Sequence, residues 1–228
     1  MSDLPRGVGN PPADSPGSGS WLAGVFSALP DFGLAFAFLT TWISPGRLGD
    51  HMISYLMLLM LLEFIIVHSS GFMAGLMVSD VPRGKKTLWL FGLSCFYMLF
   101  VGAFALAFGT WWPLSAFWLL TLNRLSGVLL GQAPVGRESQ MVMASWAVGA
   151  LAYLLLAFAT TLLPVPRLGI TKAVVAAEHL PGTGLWVDEP QRVIAFGFLY
   201  FTVVALWELG AHAWVSRGRA GSGASMAA

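Results

Sequence analysis

Six stretches of this chain are long and apolar enough to leave water, and this constrains its fold more than any other feature. A helix needs about 20 mostly apolar residues to cross the hydrocarbon core of a bilayer. Segments 21–43, 51–78, 87–108, 112–130, 140–163 and 190–215 qualify as six such segments. The expected fold is therefore all-α, a polytopic integral membrane helix bundle of about six transmembrane helices. Composition points the same way. Charged residues make up 10% of the chain and hydrophobic residues 57%, whereas a soluble domain is about one-quarter charged. Lipid, not water, is the expected main solvent.

The segments are separated by punctuated connectors such as "SPGRLGD", "SDVPRGKK" and "GQAPVGRES", which read as turns. Only "GTWWP" separates spans three and four, so a tight helical hairpin is expected there. Pro30 is expected to kink the first span, with Asp31 capping a second half-helix. Residues 1–20, rich in Pro, Gly and Ser, form an expected disordered cytoplasmic tail, and residues 217–228 a flexible one. Between them lies one transmembrane domain, residues 21–216. A cleaved signal peptide is not expected, because the tail carries two aspartates and the apolar run after it breaks at Pro30-Asp31.

Orientation follows from the basic residues, which concentrate in cytoplasmic loops. With six spans, the two termini and loops two–three and four–five share a side. That side carries seven Lys and Arg: Arg6, Arg83, Lys85, Lys86, Arg137, Arg217 and Arg219. The other carries four: Arg47, Arg167, Lys172 and Arg192. Both termini are expected to be cytoplasmic, in a bacterial-type inner membrane or a plasma membrane. The long external loop, 164–189, contains "ITKAVVAAEHL". Its apolar residues Ile170, Ala173, Val174 and Ala177 share a helical face opposite Lys172 and His179. A short helix on the membrane surface and an ordinary ordered loop are both consistent with that pattern.

Ionisable residues inside a membrane are costly and concentrate where function or pairing retains them. Spans two, four and six carry them, and spans three and five carry none. The expected intramembrane cluster is Glu63, His68, Arg124, Glu208 and His212. At about 1.5 Å rise per residue, Arg124 lies within roughly 5 Å in depth of both glutamates. Asp31 and Asn123 are possible additional members. Asn123 points away from Arg124 and suits an interhelical hydrogen bond. Gly71-x-x-x-Gly75 and Gly127-x-x-x-Gly131 are small-residue pairs beside the charges, which allow helix backbones to approach. On this reading spans two, four and six form the inner bundle, and three and five face lipid.

Two glutamates and one arginine leave a negative charge that one proton would neutralise. The functional expectation is a small proton-linked carrier or channel-like protein. One alternative is a non-catalytic membrane subunit of a larger complex. The other is a metal- or haem-binding membrane oxidoreductase using His68, Glu208 and His212, although the carboxylate spacing of di-metal bundles is missing. No catalytic residue and no resident cofactor is assigned. The expected partners are the lipid bilayer and a membrane-protein partner or second copy. A formal net charge of +1 gives no basis for nucleic-acid binding. Cys95, the single cysteine, reads as a small apolar residue.

Overall fold

The computed structural model describes residues 18–129 and 137–225. Side chains are described for 25, 26, 28–76, 79–119, 121, 122, 140, 141 and 143–210. The described chain is helical and contains no strand. In order come α1 (Ser18–Ile43), a single 3-10 turn (Pro45–Arg47), α2 (Met52–Val78), α3 (Arg83–Ala107), α4 (Trp112–Leu129), α5 (Arg137–Leu162), α6 (Lys172–Glu178), α7 (Leu185–Asp188) and α8 (Gln191–Ser225). Among the described residues, four stretches are long and apolar enough to cross a membrane: Met52–Leu76, Arg83–Ala107, Met143–Leu162 and Gln191–Gly210. A shorter apolar stretch, Ala28–Ile43, lies in α1.

The helix boundaries follow local chemistry. Pro82 precedes α3, and Pro113 sits in the first turn of α4, where its missing N–H costs nothing. The end of α3 turns through Gly109 at φ +64°, and the Thr110 amide closes back on the Ala105 carbonyl at 2.9 Å. This makes the expected hairpin with α4. At Pro30 the structure departs from expectation. The chain stays helical through it, so Asp31 has helical backbone and does not cap a second half-helix. An interior proline leaves one carbonyl without its helical partner, but neighbouring helices make this tolerable in membrane proteins. At the C-terminal end, α8 is described as helix to Ser225.

Successive long helices alternate in direction. The end where α1 stops and α2 starts also carries α6 and the start of α8, and is called the loop end below. α1 runs antiparallel along α8, with Phe38 stacked on Phe201 at 5.6 Å and Trp42 against Phe198 at 6.5 Å. There Gly197 is required, because a Cβ at that position would stand 2.2 Å from the ring of Phe38. α5 packs on both α8 and α2, α3 packs on α2, and α4 packs chiefly on α3.

This arrangement corrects the expected inner bundle of spans two, four and six. α5 takes the inner place and α4 lies outside it, against α3. Two main cores result, on different faces of α2, with a small cluster of Met73 and Leu90 between α2 and α3. One joins α1, α2, α5 and α8 through Phe38, Met60, Tyr153, Phe196 and Tyr200. The other joins α2, α3 and α4 through Leu62, Ile65, Tyr97, Val101 and Phe117. Outside the cores, large apolar side chains stand in the open, including Leu99, Leu119 and Leu162 at 72%, 72% and 77% exposure. Such a surface suits lipid and would be a liability in water.

The segment 164–189 folds over the loop end. α6 is a true short helix: the Thr171 Oγ1 accepts from the Val174 amide, and His179 ends it in a left-handed conformation. Ile170 is fully buried in the core, and Val174, Val175 and Leu180 pack on it. The Trp42 indole donates to the Pro166 carbonyl at 2.9 Å, and the Gly169 amide donates to the Trp42 carbonyl at 3.0 Å.

Candidate intramembrane acidic site

Glu63 lies near the middle of α2, inside the apolar stretch Met52–Leu76. Its Oε1 accepts a hydrogen bond of 2.7 Å from the Tyr200 hydroxyl on α8. Tyr153 of α5 lies edge-to-face with Tyr200, ring centres 5.5 Å apart. Its own hydroxyl donates to the Met60 carbonyl at 2.8 Å, one turn of α2 before Glu63. Asp31 of α1 lies within Coulombic range of both Glu63 and Glu208. Tyr200 lies within the same range of Asp31. Glu63 of α2 and Glu208 of α8 thus both lie within electrostatic range of Asp31 of α1, and the phenols of Tyr153 and Tyr200 stand near Glu63.

Not every expected member is there. His68 faces elsewhere: its Nδ1 pairs with the Tyr97 hydroxyl of α3 at 2.8 Å. Five residues of helix turn it about 140° from Glu63, which is enough to place it on the second core's side. The side chains of Arg124, Asn123 and His212, with Gly127 and Gly131, lie outside the described residues, and so does any pairing of Arg124 with Glu63 or Glu208. Among the described residues, no three His, Cys, Asp or Glu side chains come close enough to hold a metal ion.

The glycine pair on α2 divides. Gly71 faces Trp146 of α5, whose ring would stand 2.5 Å from an added Cβ. Gly75 has open space around it. The close approach at Gly71 is therefore to α5, where span four was expected. Trp146 is held there by its indole N–H, which donates to the Val67 carbonyl at 2.9 Å.

The tyrosines were missed in the sequence reading, although a signal was present. The chain has four tyrosines, and Tyr97, Tyr153 and Tyr200 fall inside apolar spans. A phenol there must find an acceptor, and the three find His68, Met60 and Glu63.

At the loop end, Glu178 of α6 accepts from the Ser54 hydroxyl at 2.9 Å, and its carboxylate lies 3.6 Å from His51 Nδ1. A cleft of about 260 Å³ opens beside them, lined in part by Tyr55, Thr110 and His179.

No family of known proteins, no characterised protein and no solved structure matches the chain. The function must be argued from its chemistry. Carboxylates clustered in a low-dielectric interior cannot all carry charge unless cations balance them.

Proposed function

We propose that the protein is a six-span membrane protein with both termini in the cytoplasm, and that it carries protons, or a solute linked to them, through the Asp31–Glu63–Glu208 cluster. The observation behind this reading is that Asp31 of α1 lies within electrostatic range of both Glu63 of α2 and Glu208 of α8, with the Tyr200 hydroxyl donating to Glu63. Glu63 is the central proton carrier. Tyr200 orients it, and Asp31 and Glu208 accept the proton in turn.

The test is reconstitution of the full chain into liposomes containing a pH-sensitive dye, with a potassium gradient and valinomycin to set the membrane potential. Proton entry above that of empty vesicles is expected, with Glu63→Gln reducing it to the background. Flux that is unchanged in Glu63→Gln, or no flux at any imposed potential or pH gradient, would remove the carrier reading and leave that of a membrane subunit.

A further inference from the structure

His68 is the ionisable residue that the acidic site does not use, and its surroundings are unusual. It lies four residues from the centre of the apolar stretch Met52–Leu76, about 6 Å in depth. At that depth it is exposed on the outside of the bundle. Nδ1 is taken by the Tyr97 hydroxyl at 2.8 Å, and Nε2 makes no hydrogen bond to a described residue. Aromatic rings frame the imidazole: Phe64 stacked at 5.7 Å, Phe72 edge-on at 5.3 Å and Tyr97 edge-on at 5.9 Å. Phe64 and Phe72 are themselves 46% and 58% exposed, so the frame opens sideways into the lipid.

We assign the Tyr97 phenol as the donor to Nδ1, because a phenol is a good donor and its oxygen a poor acceptor. Nε2 then carries the proton and presents an N–H to the hydrocarbon. Left unmatched, a desolvated donor costs about 1–3 kcal/mol. Lipid cannot match it. The hydrocarbon core extends about 15 Å on either side of the centre, so ester and phosphate oxygens stay roughly 9 Å short of this depth. The partner must dissolve in the bilayer interior, carry an acceptor oxygen and present a flat face to Phe64 and Phe72.

We infer that this frame is a lateral binding site for a lipid-soluble quinone, whose ring lies against Phe64 and Phe72 and whose carbonyl accepts from His68 Nε2. The site is independent of the acidic cluster, and either assignment can fail without the other.

The probe is decylubiquinone, titrated into the full chain in nanodiscs and read by quenching of tryptophan fluorescence against empty nanodiscs. Saturable quenching is expected. His68→Leu should weaken it by about tenfold, the equivalent of one hydrogen bond of about 1.4 kcal/mol. His68→Gln, whose amide N–H can stand near the position of Nε2, should stay within about threefold of the parent. Phe72→Ala removes an exposed ring and so spares the core. It should weaken binding while leaving the helical circular dichroism and the elution profile intact, and it serves if His68→Leu does not fold. Quenching that only follows partition into the bilayer, or saturable binding equal in His68→Leu and Phe72→Ala, would overturn the site. So would efficient disulfide formation between two copies of Phe72→Cys in membranes, because the frame would then be covered by a second chain.

Discussion

At the scale of single residues, the bond between Tyr200 and Glu63 is the contact on which the acidic site depends. A hydrogen bond to a carboxylate is stronger than one between neutral groups, and here it is shielded from water. In a double-mutant cycle of Tyr200→Phe and Glu63→Gln, followed by unfolding in detergent, the two changes should therefore be non-additive by about 1–2 kcal/mol. A coupling near zero would mean that the two groups do not meet. The two glycines of α2 give a second test, because the same substitution should have different effects at each. Gly71→Ala forces the Trp146 ring aside, and that ring cannot move without losing its bond to the Val67 carbonyl. A loss of about 1–3 kcal/mol is expected, typical of overpacking. Gly75→Ala meets nothing within 4 Å and gains helix propensity, so it should be neutral or stabilising by up to about 1 kcal/mol. Thermal melts of the two variants side by side would decide it.

Between elements, the junction of α5 and α8 at the loop end depends on one arginine. The last carbonyls of a helix have no partner within it. Nη1 of Arg192, from the start of α8, donates to the carbonyls of Thr160, Thr161 and Leu163 at 2.9, 3.1 and 2.8 Å. Its Nε bonds Glu189, which also lies 3.6 Å from Arg167. Arg192→Gln should uncap α5 and cost about 1–3 kcal/mol. Glu189 supplies a pH signature. The hydrogen bond from Arg192, and then the charges of Arg192 and Arg167, hold its carboxyl below its ordinary value of 4.5. A carboxylate depressed by folding adds stability above its unfolded value, and loses it as pH falls through the folded one. The thermal stability of the parent should therefore fall below about pH 4.5 towards that of Glu189→Gln, which should be flatter over that window. This junction was not legible in the sequence, where Arg192 counted only as an external charge. The helices themselves were legible, because run length and punctuation set them. Their neighbours were not. Lipid and protein interior are equally apolar, so hydrophobicity cannot say which face of a spanning helix meets protein. α2 is apolar nearly all round and packs on two sides, and α4 and α5 exchanged their expected places for the same reason. The acidic residues of the site were visible as charges in apolar runs. Tyr153 and Tyr200 were not weighed, because a phenol does not stand out there as a charge does.

For the whole molecule, the question that governs function is which end faces the cytoplasm. Arg167 and Arg192 at the loop end are engaged with Glu189 and helix carbonyls, while Arg47 and Lys172 there, like Arg83 and Lys85 at the other end, are exposed. The orientation therefore rests on the count of basic residues in the sequence, which concentrate in cytoplasmic loops, and the loop end is expected outside and the chain termini inside. Two introduced cysteines can read this directly, in a Cys95→Ala background, since Cys95 is itself exposed. Ala176 lies on α6, and Gly84 opens α3 at the opposite end; both are exposed, and Gly84 has open space around it. In intact cells a membrane-impermeant maleimide should label Ala176→Cys at once and Gly84→Cys only after permeabilisation. The reverse pattern would invert the proposed orientation. Labelling of both sites in intact cells would place the two ends on one side, which the alternation of the long helices does not permit, and would break the six-span reading itself.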